Sequence, residues 1–399
     1  MDNVTAKVAR QYTDYAYPPP FDDLDERLAR GQVDASDPRV FGPMFLPEGR
    51  PEGEGLRILS AGCGTVQAAV LAHSNPDALV VGVDLSDASL GHQRYLREKF
   101  DLKNLELFQG DLSDVGRLER EFDLIACTGV LHHMADPDAG LRALGSVLAP
   151  QGAMFLMVYA PVGRTGVYLL QDAFRRIGLG QTPEDVALVR AVLAGTPASH
   201  PVQDYRRRAE EELEHDSGIV DSFLHPQDRA YSVDELLDWV ERTGLGFQGW
   251  LENLFHYPDA LISPAILPRI AALSTREQWA VVEKMVGMPS THCFIARRPD
   301  AVHEVSFEGE DWLRYRPYRF PMADIKYEPD AGYRIHCAGA QFVVNQHEAI
   351  LFTWGDGART IAAMLAEEPF SAFPEADRRE FARAHFNRMW RLGLMMFQR

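Results

Sequence analysis

The residues best suited to chemistry sit in short turns. Ser60-Ala61-Gly62-Cys63-Gly64-Thr65-Val66-Gln67 follows a short apolar run. Its two glycines remove the Cβ atoms that would hold a ligand off the backbone, and a helix starting just beyond offers free N–H donors. Asp84 stands roughly 20 residues further on, where a carboxylate can accept both hydroxyls of a ribose. Asp111, in Gln109-Gly110-Asp111-Leu112, is placed to take a hydrogen bond from an adenine amino group. A last turn, Thr128-Gly129-Val130-Leu131-His132-His133-Met134, precedes Asp136-Pro137. A pyrophosphate-bearing dinucleotide needs a third glycine near Val66 or Gln67 for close helix approach, and there is none. The pattern suits a nucleoside that carries no phosphate.

Regular elements must bring these turns together. Leu56–Ala61, Leu79–Asp84, Leu105–Phe108, Phe122–Cys127 and Ala153–Tyr159 read as strands. Helices over Thr65–His73, Ala88–Phe100 and Asp138–Leu148 alternate with them, the last started by Pro137 and stopped by Pro150. Such alternation implies a parallel sheet covered on both faces, with ligands at the carboxyl ends of its strands. Between about 161 and 230 a charged, helix-prone insertion interrupts the rhythm, including Arg206-Arg207-Arg208 and Glu210-Glu211-Glu212. It returns with a helix over Ser232–Thr243, opened by a Ser232/Glu235 capping box, then strands at Phe247–Leu251 and Thr291–Ala296. Three short strands follow at Ile325–Tyr327, Tyr333–His336 and Phe342–Val344. Helices around Glu348–Thr353, Thr360–Glu367 and Arg379–Leu392 complete a small α+β module, with Trp354, Ile361, Met364 and Trp390 as its core.

Composition narrows the function classes. The 399 residues carry 40 Lys and Arg against 58 Asp and Glu, a formal charge of −18 that disfavours nucleic acid as a partner. Cys63, Cys127, Cys293 and Cys337 form no Cys-x-x-Cys pair, so no metal site is expected, and free thiols suit a reducing compartment. No apolar run approaches the ~20 residues that span a bilayer, and Met1-Asp2-Asn3-Val4-Thr5 does not resemble a targeting signal. The expectation is a cytoplasmic protein without a membrane partner; a homodimer is compatible with it.

The chain resembles the class I S-adenosylmethionine-dependent methyltransferases over roughly residues 55–298. The resemblance rests on Gly62-Cys63-Gly64, Val83-Asp84-Leu85-Ser86, Asp111, Gly129-Val130-Leu131-His132-His133 and Leu148-Ala149-Pro150-Gln151-Gly152, in that order. It implies an α/β fold with a Rossmann-like seven-stranded sheet flanked by helices on both faces, and S-adenosylmethionine as cofactor. It assigns cofactor contacts to Ala61, Gly62, Cys63, Gly64, Asp84, Leu85, Gly110, Asp111, Leu112, Thr128, Gly129 and His132. Ser60 stands where many members have an acidic residue to hold the cofactor's amino group. The resemblance implies methyl transfer by in-line displacement. Because the leaving group is neutral, alignment supplies most of the rate and a base is needed only if the acceptor keeps its proton.

His133 and Tyr159 are the catalytic candidates, at the ends of the fourth and fifth strands; the alternative to His133 as a base, a structural or cofactor-contacting role, is the preferred reading, and Tyr159 also suits a core-edge aromatic. Arg164 is either at the active edge or a solvated charge. The domains expected are an arm or lid over 1–50, whose Tyr12, Tyr15 and Tyr17 either close the site or staple the arm; the catalytic domain over 51–300, whose insertion over about 161–230 caps the acceptor; and an accessory domain over 301–399. The last resembles the winged-helix, PqqD-like domains that bind leader peptides, through Leu351-Phe352, Gly355-Asp356-Gly357-Ala358-Arg359-Thr360-Ile361 and Met389-Trp390-Arg391-Leu392-Gly393-Leu394. The acceptor expected is a peptide or protein side chain, with a small metabolite as the alternative. A cofactor-binding regulator or scaffold is the rival outside enzymes. A nicotinamide oxidoreductase would need the third glycine and a Tyr-Lys pair, and neither is found.

Overall fold

The computed structural model of the chain describes residues 3–49, 55–287, 289–337 and 339–399. Two compact units emerge, the first formed by Met1–Arg39, Pro51–Phe247 and Gly287–Val302, the second by Val40–Arg50, Gln248–Val286 and His303–Arg399. Residues 248–286, placed with the sheet in the sequence reading, cluster with the C-terminal residues.

A seven-stranded sheet organises the first unit, with only the start of its sixth strand, to Phe247, clustering there: β1 Arg57–Ala61, β2 Leu79–Asp84, β3 Leu105–Gln109, β4 Phe122–Thr128, β5 Leu148–Tyr159, β6 Gly246–Trp250 and β7 Thr291–Arg297. Its order is β3-β2-β1-β4-β5-β7-β6. β1 is parallel to both β2 and β4, so the chain's crossover reverses there and a crevice opens beyond the carboxyl ends of β1 and β4. Burial of nearly every residue in β1, β2 and β4 is what continuous apolar runs produce in a sheet covered on both faces. β7 runs antiparallel to β5, pairing Tyr159 with Thr291.

Local chemistry sets the boundaries. Ser232 and Glu235 form the expected capping box on the helix Val233–Arg242. Pro150, read as ending a helix ahead of the fifth strand, instead lies inside β5; the pairing with β4 shifts register between Phe122 and Leu124, and that irregularity accommodates a residue without an N–H.

The insertion folds as helices, chiefly Thr165–Arg176, Pro183–Gly195, Val202–Arg208 and Asp216–Phe223. They share a core of their own, with Val167, Phe174, Val189, Val220 and Phe223 buried together. The arginine run finds its partners away from the Glu210 to Glu212 run beside it. Arg206 reaches the Leu193 carbonyl at 2.7 Å, Arg207 pairs with Asp204, and Arg208 reaches the Gly163 carbonyl at 3.0 Å.

In the second unit, β9 Asp324–Glu328, β10 Gly332–Cys337 and β11 Ala340–Val344 form an antiparallel sheet, after the short β8 Arg316–Arg319, which pairs with β12 Met395–Gln398. Helices Gln346–Thr353, Ile361–Ala366 and Glu375–Arg391 accompany them. Ile361 and Met364 are fully buried as expected, whereas Trp354 and Trp390 are half-exposed and Phe352, Phe370, Phe386 and Met389 fill the centre. No helix among the described residues is long and apolar enough to cross a membrane.

Candidate cofactor and acceptor site

The carboxyl ends of β1 to β5 bring the sequence-selected residues to one edge of the sheet. Ala61 closes β1 and is fully buried. The turn after it is pinned by Gly62 and Cys63, whose N–H groups both donate to the Val83 carbonyl at 2.8 and 3.0 Å. Gly62 and Gly64 take φ of +73° and +53°, a region L-residues avoid. A Cβ on Gly62 would lie 2.4 Å from Val130 Cγ2. The turn is therefore bare backbone by necessity. Burial pushes the Cys63 thiol well up, keeping it neutral.

Asp84, at the end of β2, reads this turn directly: Oδ2 accepts from the Gly64 N–H and Oδ1 from the Ser86 N–H, each at 2.8 Å. Burial raises its pKa above the usual aspartate value, partly offset by those donors. Leu85 follows, its carbonyl held by Gln109 Nε2. After β3, Gly110 leads to Asp111, which caps the turn Leu112–Leu118 by accepting from the Ser113 N–H; Leu112 is buried. After β4, Thr128 precedes Gly129 at φ +74°, and His132 and His133 occupy a single buried turn, Leu131–His133.

Two glutamines, which the sequence reading passed over, hold the floor. Gln93 donates to the carbonyls of Cys63 and Gly64, both at 3.1 Å, while its oxygen accepts from the Ala69 N–H. Gln67 links Ser60 to Thr128: Ser60 Oγ donates to its oxygen at 2.9 Å and its Nε2 donates to Thr128 Oγ1 at 3.0 Å. Ser60, the residue where an acid is common, is thus engaged with Gln67.

The N-terminal arm runs over this edge. Thr65 Oγ1 donates to the Pro18 carbonyl at 2.7 Å and Ser86 Oγ to the Tyr12 carbonyl at 3.2 Å. Beyond Tyr12 the insertion covers a chamber filled by buried polar side chains. Asp221 receives two phenol hydroxyls, Tyr12 at 2.9 Å on Oδ1 and Tyr159 at 2.7 Å on Oδ2. His133 Nδ1 meets the Gln227 carbonyl at 2.7 Å, and since a carbonyl only accepts, the ring proton is on Nδ1 and a lone pair remains at Nε2. His225 stacks on His133 with centroids 3.7 Å apart, and His132 lies 3.9 Å from the Tyr159 ring. Burial drives His132 and His225 well below the ordinary imidazole range, so both are neutral. Glu212, half-buried and near Asp221, is pushed up to about 7, chiefly by the loss of solvent around its carboxyl.

Arg164 is no solvated charge. It is 1% exposed, its guanidinium stacks 3.6 Å from the Tyr159 ring centre, and it pairs with Asp228 at 3.5 Å. Gln171 Nε2 donates to the same carboxylate at 2.7 Å. Asp221, Glu212 and the neighbourhood of His225 come from the insertion, and no local pattern ties them to the turn at Gly62.

A methyltransferase-domain family model matches residues 52–172, which carry the glycine turn, Asp84, Asp111 and the His132-His133 turn. The chain is an S-adenosylmethionine-dependent methyltransferase. The uncharacterized protein syc1184_c of a Synechococcus strain is 32% identical over 386 residues, covering 91% of this chain and 89% of that protein, so this methyltransferase belongs to the same family. The ubiquinone biosynthesis O-methyltransferase of Neisseria meningitidis serogroup C is 29% identical over 112 residues, 27% of this chain and 46% of that one, so the chain spans under half of that relative. PKMT2 from Rickettsia typhi, which has also been solved in complex with AdoHcy, shares the fold with a TM-score of 0.68 at 15% identity, over 95% of this chain and 76% of its own.

The residues of this methyltransferase fit its cofactor. The Gly62 turn has no room for a side chain, Asp84 keeps a carboxylate at the end of β2, and no third glycine or cationic side chain prepares the turn for a phosphate.

Proposed function

We propose that the protein transfers a methyl group to a nucleophile admitted to the chamber under the helical insertion, with Ala61 to Gly64, Asp84, Leu85, Gly110 to Leu112, Thr128, Gly129 and His132 forming the cofactor side. When bound, the sulfonium supplies an activated methyl carbon and a neutral leaving group. The observation that carries this reading is Tyr12. Its carbonyl is bonded to Ser86 beside Asp84 while its hydroxyl is bonded to Asp221, so one residue joins the cofactor edge to the chamber. The chain's own part is to orient and to exclude water. His133 offers a lone pair to a proton or a cation, and Tyr159 presents a hydroxyl fixed by Asp221. These are the side chains proposed to touch the acceptor.

We favour a peptide or protein side chain as acceptor, and read the second unit as a winged-helix-like docking module. What supports this is that β9 and β11 each pair on one side, with β10, and carry exposed Tyr327 and Val343, as strand addition by a peptide requires. Four free cysteines fit the cytoplasm. Incubating the full chain with label in the cofactor's methyl group and a host lysate tests it. Label in proteins or peptides is expected, and label confined to small molecules overturns the peptide reading in favour of a metabolite.

A further inference from the structure

The chamber holds a set of donors that methyl transfer from a sulfonium does not itself require. His133, Asp221 and His225 come from separate parts of the chain, yet one ligand atom of each lies within 4.8 Å of the others, and all three residues are buried. His133 and His225 are 3% and 2% exposed, and the lone pair at His133 Nε2 has no hydrogen-bond partner. Asp221 is 2% exposed and makes no ion pair among the described residues; its oxygens are held by neutral phenols alone. A buried carboxylate with no ion-pair partner and a buried imidazole lone pair with no donor are both unfavourable arrangements that a bound cation relieves.

We propose that His133, Asp221 and His225 bind a divalent transition-metal ion of the zinc class. Two imidazole nitrogens and one carboxylate oxygen are the three-ligand set that leaves zinc one open position. The surroundings match what orients such ligands. The bond from His133 Nδ1 to the Gln227 carbonyl at 2.7 Å fixes the tautomer and aims Nε2 as the ligand. Tyr12 and Tyr159 fix the carboxylate of Asp221. His225 is arranged differently: its Nδ1 accepts the Gln227 N–H at 3.1 Å, so its proton sits on Nε2. Coordination through Nδ1 uses a lone pair already free of a proton but gives up that amide contact, which makes His225 the weakest ligand of the three. Zinc–nitrogen bonds of about 2.0–2.1 Å bring tetrahedral donors to roughly 3.3 Å apart, a closure within reach of side-chain rotation.

This inference rests on the chamber being the acceptor side and gives His133 the role of metal ligand there. It is tested without cofactor or acceptor. Tag-free full-length chain, stripped with chelator, is titrated with Zn²⁺ by calorimetry and with Co²⁺ by visible absorption. One ion per chain is expected, with the intense ligand-field bands of low-coordinate cobalt. His133→Ala and Asp221→Ala should each weaken binding by about 100-fold or more and His225→Ala by about tenfold, while His215→Ala, at an exposed histidine, leaves it unchanged. Absence of a stoichiometric ion in the wild-type chain overturns the proposal and needs no variant to fold. So does equal affinity in all three variants when their circular dichroism matches the wild type. Failure of methyl transfer itself is read separately, from transfer of label out of the cofactor.

Discussion

Gly62→Ala probes the cofactor turn most directly. The new methyl group would meet Val130 Cγ2 at 2.4 Å, Cγ1 at 3.0 Å and Cβ at 3.2 Å, on a backbone held at φ +73°. A left-handed L-residue costs roughly 1–2 kcal/mol, and overpacking against a β-branched neighbour adds about 1–3 kcal/mol. The sum, about 2–5 kcal/mol, is a large share of a typical stability of roughly 5–15 kcal/mol. Thermal unfolding of the apo chain should shift down by roughly 2–10 °C, and calorimetry should show weakened cofactor binding. The two parts separate on adding Val130→Ala, which removes both Cγ atoms and leaves the Cβ at 3.2 Å. The steric part is then relieved and the backbone part stays, so the double variant should recover about 1–3 kcal/mol relative to additivity. Additive losses, or a Gly62→Ala protein as stable as the wild type, would refute the reasoning.

Gly91→Ala is the converse case. This glycine lies inside the helix Asp87–Lys99 with nothing within 4 Å of an added methyl, so the change should stabilise the chain by about 0.5–1 kcal/mol in denaturant unfolding. Arg164→Met should cost about 3–5 kcal/mol by the same measurement, because Asp228, with its side chain 0% exposed, loses its cation. Asp84 should give opposite signs in two assays as pH falls. Its raised pKa means the ionised form is disfavoured by the fold, so protonation on descending through the folded value stabilises the apo chain. The same protonation removes the carboxylate, so cofactor affinity falls, beginning at a higher pH than for an exposed aspartate. Asp84→Asn should weaken cofactor binding and abolish both pH dependences; unaltered profiles in that variant would count against the assignment.

The sheet and the turns along its edge were legible because they are written locally. Gly62, Gly64, Asp84 and Gly129 each mark the point where an apolar run stops and the backbone must turn, and a parallel sheet aligns all such points on one edge. The chamber was not legible for the opposite reason. Asp221 meets Tyr12 and Tyr159 only after the insertion folds back over the sheet, and nothing in its neighbourhood announces those partners. Arg164 looked like an ordinary surface charge because its stabilising partner, Asp228, is distant in sequence. Pro150 misled for a different reason: a register shift lets a strand absorb a residue that usually ends regular structure. β8 and β12 are short, and Pro317 in β8 weakens the sequence signal of both.

The insertion's helices bury their apolar residues chiefly against one another, with Val167, Val189 and Phe223 in a shared cluster. A roof with an interior of its own is free to diverge. On the proposed reading, substitutions that reshape its underside redirect the enzyme to a new recipient while the turns after β1 to β5 keep the same donor, so selectivity and the methyl-delivering apparatus evolve on separate schedules within one polypeptide.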